Sequence, residues 1–101
     1  MDTKDIMSEK QLEKRLVFWC SKNNYMCIKL LSTFIKGLPD RMIIGDNRTV
    51  EFVEFKSTGM KLRRVQVYIH EKLKKYGFTV YIIDSIDSLE NFKQCFLSET
   101  I

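Results

Sequence analysis

The sequence predicts an α/β fold in which a mixed β-sheet is flanked by helices, in the order α-β-β-β-α-β-α. Three segments repeat their apolar residues at helical spacing, and four short runs have the composition of strands. A helix separates the third strand from the fourth, which permits a crossover connection and a parallel pair. The chain has 101 residues, 45% of them hydrophobic. This is enough for one core, so residues 1–101 are expected to form a single domain.

The first helix is predicted over residues 8–22. Ser8 and Gln11 have the spacing of a capping box, in which each side chain accepts a hydrogen bond from the other residue's backbone N–H. Apolar residues then recur at helical spacing and form one stripe, at Leu12, Leu16, Trp19 and Cys20. The asparagine pair at 23–24 ends the helix. The short apolar run at 25–31 favours a strand over a helix.

Residues 40–44 and 49–56 are predicted to pair as a β-hairpin, because the turn residues 45–47 separate two runs rich in Ile, Val and Phe. A second helix follows the loop at 57–59. One side of it is marked by Leu62, Val65, Ile69, Leu73 and Tyr76, and Gly77 is placed to cap it in the left-handed conformation. Two further elements are predicted, a buried strand at 78–83 and a closing helix at 85–97.

The charge of the chain favours a polyanionic partner. Seventeen Lys and Arg stand against thirteen Asp and Glu, a formal net charge of +4. The longest apolar runs fall far short of the ~20 residues that cross a bilayer, so we expect a cytoplasmic protein. Three cysteines, at 20, 27 and 95, have neither metal-knuckle nor disulfide-framework spacing, and we expect them to be buried hydrophobes.

Acidic residues in the predicted hairpin suggest a metal site. Strand alternation places Glu54 and Lys56 on one face of the second strand, while Asp40 begins the first. Two converging carboxylates suit a hard divalent cation, and a nearby lysine can orient a water or stabilise a phosphate. Two alternatives remain: Glu54 and Lys56 form an exposed ion pair, and Asp40 is a turn residue after Pro39.

These residues carry a family resemblance. Pro39-Asp40 followed by Glu54-Phe55-Lys56 has the form of the PD-(D/E)xK motif. A longer ordered set of features, spread over roughly residues 8 to 97, resembles the VRR-NUC (virus-type replication-repair nuclease) branch of that superfamily: Gly37-Leu38-Pro39-Asp40-Arg41, a glycine-bearing turn, Val53-Glu54-Phe55-Lys56, Gln66, and Tyr76-Gly77-Phe78. The resemblance implies a restriction-endonuclease-like core that cuts DNA with Mg²⁺ or Mn²⁺. Its small standalone members look like homodimers that cleave four-way (Holliday) junctions.

The resemblance also implies roles for single residues. Asp40 and Glu54 match the metal-binding acids, the backbone carbonyl of Phe55 matches a further ligand, and Lys56 matches the lysine that assists the attacking water. Gln66 matches a family glutamine, and it falls inside the apolar stripe of its helix, where an amide needs a partner. The first helix carries an acid that completes the metal site, directly or through water. We assign Glu13 to this role. Glu9 is the alternative, but it lies in the first turn of the helix, where the helix dipole already explains an acidic residue.

Other residues have two interpretations each. The basic residues Lys29, Arg41, Lys61, Arg63 and Arg64 are candidates to bind DNA, or are solvated surface charges. His70 is a general base or, more commonly for such a position, a helix-surface histidine. Phe18 and Trp19 belong to a dimer interface or to the core. The predicted function is a metal-dependent DNA endonuclease; the alternatives are a non-catalytic nucleic-acid-binding domain, a flap or nick nuclease, and a structural protein with an exposed Glu-Lys ladder.

Overall fold

The computed structural model describes residues 6–101. Seven elements follow in the predicted order: α1 (Glu9–Lys22), β1 (Met26–Lys29), β2 (Arg41–Ile44), β3 (Val50–Phe55), α2 (Arg64–Lys75), β4 (Val80–Ile83) and α3 (Ile86–Glu99). The predicted first and fourth strands, at 25–31 and 78–83, are therefore longer than the observed ones. Within the described range, none of the helices has the length and apolar character needed to cross a membrane.

The four strands form one mixed sheet in the order β1-β2-β3-β4. β1 pairs antiparallel with β2, and β2 pairs antiparallel with β3, with Arg41 opposite Val53. β4 lies parallel to β3, with Glu54 opposite Ile82. The mixed sheet, the hairpin and the parallel pair are confirmed. The order also places β3 inside the sheet, where a strand is covered on both faces.

The hydrophobic core lies between one face of the sheet and the helices α1 and α3. It is built from fully buried side chains of the two helices and the sheet: Leu12, Leu16 and Cys20 from α1, Ile43, Val53, Phe55 and Ile83 from the sheet, and Leu89, Phe92 and Phe96 from α3. Trp19 packs against this core and contacts the rings of Tyr25, Phe92 and Phe96. Phe18, in contrast, is 63% exposed. The two neighbouring aromatic residues therefore have different roles.

The helix α2 covers the other face of the sheet, and its buried side is polar. The predicted apolar stripe is partly wrong: Val65 is 38% exposed and Tyr76 is 66% exposed, whereas Gln66 and His70 are the buried side chains of this helix. Polar residues are buried here because β3 directs the side chain of Glu54 toward α2, where Gln66 donates to it. A buried carboxylate needs polar partners, and α2 supplies them.

The predicted start of α1 and the predicted turns after α1 and α2 are confirmed, whereas α3 runs to Glu99, two residues beyond its predicted end. Ser8 and Gln11 form the capping box at the start of α1. The positive φ angles fall where the turns were predicted, at Asn24 after α1 and at Gly77 after α2. All three cysteines are free, but only Cys20 is fully buried, since Cys27 and Cys95 are half-buried. Burial of all three was therefore too strong an expectation.

Glu51 is a second buried acid of β3, on the core side of the sheet. Its side chain is 7% exposed, and its Oε2 atom has no hydrogen-bond partner within the described residues. Burial and then the negative charge of Glu99 raise the pKa of Glu51 to about 7, against a smaller opposing effect of the Tyr81 hydroxyl. The ionised form of Glu51 therefore destabilises the folded chain.

We predict that Glu51→Gln flattens the pH dependence of stability. The folded-state pKa of Glu51 is raised, so the stability it contributes is complete below its unfolded pKa and is lost as the pH rises through about 7. Urea unfolding should show Glu51→Gln stabilised relative to wild type by ~2 kcal/mol at pH 8 and nearly unchanged at pH 4.5. Glu71→Gln, an exposed change, is the control. Equal destabilisation of Glu51→Gln at both pH values would contradict the prediction.

Candidate metal centre

The hairpin register brings Asp40 beside Glu54. Asp40 directly precedes β2, whose first residue, Arg41, lies opposite Val53. The backbone N–H of Phe55 donates a hydrogen bond of 2.8 Å to Oδ2 of Asp40. This bond ties the half-buried Asp40 side chain to the backbone of β3 at the residue after Glu54. Asp40 is therefore more than a turn residue after Pro39, since it contacts a strand 15 residues further along the chain.

Glu54 is held from the helix side by Gln66. The Glu54 side chain is only 2% exposed, and its Oε2 atom accepts a hydrogen bond of 3.1 Å from Nε2 of Gln66. The Oε1 atom of Gln66 in turn accepts a bond of 2.8 Å from the backbone N–H of Arg63. The expectation that Gln66 needs a buried partner is confirmed. Because Glu54 is buried, the alternative in which Glu54 and Lys56 form an exposed ion pair is wrong.

His70 lies one helical turn after Gln66 and faces the same carboxylate. Its Nε2 atom is 3.7 Å from Oε1 of Glu54, and its side chain is 6% exposed. Neither of these two buried atoms has a hydrogen-bond partner within the described residues. The interpretation of His70 as a helix-surface residue is therefore wrong. The sequence signal was its spacing of four residues from Gln66, which places both side chains on one face of α2.

The electrostatics of the site favour a cation. Burial and the nearby negative charge of Glu54 raise the pKa of Asp40 to about 6, although the hydrogen bond from Phe55 opposes the shift and the charge of Glu13 adds slightly to it. The ionised form of Asp40 is therefore disfavoured by burial and by a neighbouring acid, and a positive charge nearby would stabilise it. A divalent cation would supply this charge.

The residues present fit a hard divalent cation. Asp40 and Glu54 offer negatively charged oxygen ligands, and Oε1 of Glu54 is buried without a hydrogen-bond donor. Among residues 6–101, no three His, Cys, Asp or Glu side chains are arranged to hold a metal ion together. An ion held by two carboxylates would therefore depend on other oxygen atoms, which suits Mg²⁺ because that ion usually keeps several waters.

Glu13 lies near this site but is already paired. Its Oε2 atom accepts a bond of 2.9 Å from Nε of Arg41, the residue after Asp40. Arg41 also donates to the backbone carbonyl of Cys27 at 3.4 Å. Glu9, the alternative acid, is exposed in the first turn of α1. This ion pair was not foreseen in the sequence, where Glu13 and Arg41 had separate roles.

Most of the basic residues predicted to act at this site are exposed. Lys56 directly follows β3 and is half-buried, and its backbone N–H donates to Ile83 at 3.0 Å. The remaining candidate DNA-binding residues other than Arg41 are exposed: Lys29 on β1, Lys61 in the loop before α2, and Arg63 and Arg64 where α2 begins. These exposed side chains are accessible to a polyanion.

Comparison with known proteins identifies relatives of this chain. The chain is 33% identical over 82 residues to a protein named "Putative nuclease p44" of Acyrthosiphon pisum secondary endosymbiont phage 1, covering 81% of this chain and 88% of that protein. A solved structure of a VRR_NUC domain superposes with a TM-score of 0.79 at 21% identity, covering 87% of this chain and 97% of that one. The chain belongs to the VRR-NUC family. No protein-family model matches the sequence.

In this VRR-NUC chain, Gly37 joins the segment before Asp40 to the start of α2. Gly37 is buried with φ at +88°, and a Cβ atom there would lie 2.4 Å from the carbonyl oxygen of Val65 and 3.1 Å from the backbone nitrogen of Gln66. Only glycine permits this approach. The motif glycine therefore helps to set the position of the residue that holds Glu54.

We predict that Gly37→Ala destabilises the chain more than Gly59→Ala does. Both glycines have positive φ, so both substitutions incur backbone strain, but a Cβ at Gly59 meets nothing within 4 Å. Denaturant unfolding should give a loss of ~1 kcal/mol for Gly59→Ala and at least ~2 kcal/mol for Gly37→Ala. Equal losses would show that the close approach to α2 contributes nothing to stability.

Proposed function

We propose that the chain is a divalent-metal-dependent DNA endonuclease that hydrolyses phosphodiester bonds. The observation that carries the proposal is the pair formed by the buried carboxylate of Glu54 and the half-buried carboxylate of Asp40, with Lys56 two residues after Glu54 in the chain. Membership of the VRR-NUC family and a phage relative named as a nuclease support the same activity. We further propose that residues 1–101 act as one nuclease domain in the cytoplasm of a bacterial or phage-infected cell.

The proposed metal ligands are the two carboxylates and a backbone oxygen. Asp40 and Glu54 would hold Mg²⁺ or Mn²⁺, with the backbone carbonyl of Phe55 as a further ligand and Glu13 acting through a water. When bound, the cation neutralises charge on the scissile phosphate and lowers the pKa of a water. Gln66 fixes the orientation of Glu54 through the bond to Oε2, which leaves Oε1 as the free ligand atom.

The remaining residues of the site handle the water and the phosphate. Lys56 orients the attacking water and stabilises the negative charge that develops on the phosphate. The candidate DNA-binding residues bind phosphates on either side of the scissile bond; they are Lys29, Arg41, Lys61, Arg63 and Arg64. Arg41 has a second task, because its ion pair with Glu13 anchors α1 beside Asp40.

For the substrate and assembly, we propose a homodimer that cuts a four-way junction. Two symmetric scissile strands require two active sites, and two-fold symmetry supplies them. Flap or nicked DNA is the alternative substrate. Trp19 packs against the core, so it is not available for an interface. Other exposed apolar side chains are Leu31, Phe34 and Ile35, which precede Asp40, and Tyr76, which directly follows α2. Ile35 and Tyr76 line one groove of about 270 Å³, which we propose as the contact with the second copy.

Sedimentation velocity tests this assembly. Wild type at micromolar concentration should sediment as a dimer of twice 12.0 kDa. Phe34→Ser, which removes a ring that is 96% exposed, should shift the protein to monomer without unfolding it, because no core contact is lost. A wild-type monomer both alone and with junction DNA would rule out the dimer and favour flaps or nicks.

The activity is tested with Glu54→Gln and a matched control from the same strand. Labelled four-way junction, flap and linear duplex are incubated with Mg²⁺, Mn²⁺ or EDTA. Wild type should cleave only with the metal, and Glu54→Gln should lower cleavage by at least about 100-fold because a charged ligand is lost. Glu51→Gln, which neutralises the other buried acid of β3, should cleave like wild type. DNA binding without any cleavage would favour the non-catalytic alternative.

We predict that Lys56→Ala separates metal binding from chemistry. Lysine is not a metal ligand in this scheme, so calorimetry should show Mn²⁺ affinity within about threefold of wild type while cleavage is lost. Lys75→Ala, an exposed change in the last turn of α2, should alter neither quantity. Loss of Mn²⁺ binding in a folded Lys56→Ala protein would overturn the role given to this lysine.

A further inference from the structure

The outer side of α1 carries an aromatic ring among basic side chains. Lys14, Arg15, Phe18 and Lys22 recur at helical spacing, and all four are exposed, while Leu12, Leu16 and Cys20 of the same helix face the core. We call these four exposed residues the α1 outer face. Neither the metal site nor the core explains the 63% exposure of Phe18, so this face needs a separate account.

Grooves on both sides of Phe18 extend this face. One groove of about 450 Å³ is lined by Met7, Gln11, Lys14, Arg15 and Phe18. A second of about 250 Å³ is lined by Arg15, Phe18, Trp19, Lys22 and Lys93. Lys22 Nζ lies 5.3 Å from the centre of the Phe18 ring. The exposed ring therefore stands between two basic, partly apolar depressions.

The α1 outer face is connected to the metal site. Lys14 also lines a third groove of about 260 Å³, together with Lys10, Glu13, Val17 and Arg41. Arg41 adjoins Asp40 in the chain and neutralises Glu13 within this groove. The backbone N–H of Met7, from the first groove, donates to Thr58 in the loop after Lys56 at 3.4 Å. A DNA strand that extends from the carboxylates would therefore meet basic side chains as far as the α1 outer face.

We propose that the α1 outer face binds an unpaired strand of the DNA substrate, with Phe18 as a stacking platform. The proposal rests on the proposed nuclease function. The lysine and arginine side chains are sufficient to bind phosphates, so they do not explain the exposed ring. An exposed aromatic ring can stack on the free face of a base, and unpaired DNA offers such faces. From Lys14 to Lys22 the helix rises about 12 Å, enough for about three nucleotides of one strand. Branch points and flaps supply such unpaired bases.

A second copy of the chain fits this face less well. Two-fold self-association would bring the same patch of both chains together. The α1 outer face contains Lys14, Arg15 and Lys22 and no acidic residue, so a symmetric contact would oppose like charges. A polyanion instead meets complementary charge along the whole face.

The test measures binding without cleavage, by fluorescence anisotropy with Ca²⁺ in place of Mg²⁺. The probes are a labelled dT20 oligonucleotide, a linear duplex, and a flap whose single-stranded arm leaves the same duplex. Phe18→Ala should weaken dT20 and flap binding about tenfold and duplex binding less than twofold, and Phe18→Trp should restore it. The matched control is Tyr68→Ala, which removes an equally exposed ring that also has a lysine, Lys72, 5.7 Å from its centre.

Salt titration separates stacking from charge. Lys14→Ala with Arg15→Ala should lower the slope of log affinity for dT20 against log salt by about 1.4, or about 0.7 for each lost phosphate contact. Phe18→Ala should leave that slope unchanged, since a stacked ring displaces no counterions. A Phe18→Ala protein that binds dT20 as wild type does, or that loses duplex binding equally, would overturn the proposal.

The outcomes also distinguish this inference from the nuclease function. If wild type cleaves DNA and Phe18→Ala has no effect on binding, the inference fails and the function stands. If wild type binds none of the three probes, the nuclease function itself fails. If Phe18→Ala changes a dimer to a monomer in sedimentation, the α1 outer face is an interface between copies, and the inference is wrong.

Discussion

The register of the β2–β3 hairpin is the constraint on which the site and both faces of the sheet depend. With Arg41 opposite Val53, the N–H of Phe55 meets Asp40 at 2.8 Å. A shift of one residue would exchange the two faces of β3, sending Glu54 into the core and Val53 toward α2. The core packing of α1 and α3 on Val53 therefore also enforces the position of the catalytic candidates. Stability and site geometry are set by the same pairing.

Strand β3 carries two buried acids, and the structure treats them differently. Each acid has one buried oxygen without a hydrogen-bond partner within the described residues, but the other oxygen of Glu54 accepts from Gln66, and His70 lies beside it. The pKa of Glu51 is raised to about 7, mainly by burial. Burying a carboxylate costs free energy unless donors compensate for lost water. For Glu54 the polar face of α2 partly offsets that cost. This explains why the fully buried positions of α2 hold Gln66 and His70, where an amphipathic helix usually has apolar residues.

Much of the fold was predictable because its signals are local. The capping box of Ser8, the hairpin turn and the Gly77 cap each depend on a few adjacent residues. Gln66 was predictable because an amide within an apolar stripe needs a partner. The helical wheel of α2, however, shows which residues share a face and not what covers that face, so Val65 and Tyr76 were expected to be buried. The Glu13–Arg41 pair spans 28 residues and has no local signal.

The distribution of charge resolves a conflict within the proposed function. A site that must accept a phosphate contains two acids in close contact, which by themselves repel it. Glu54 is buried and Asp40 is half-buried, whereas the basic residues on β1, in the loop before α2 and at the start of α2 are exposed. Long-range attraction therefore comes from the exposed basic residues, and repulsion acts only close to the carboxylates. A cation held by Asp40 and Glu54 removes that central repulsion. Metal and DNA must then strengthen each other's binding by the same factor, because coupling between two ligands is reciprocal.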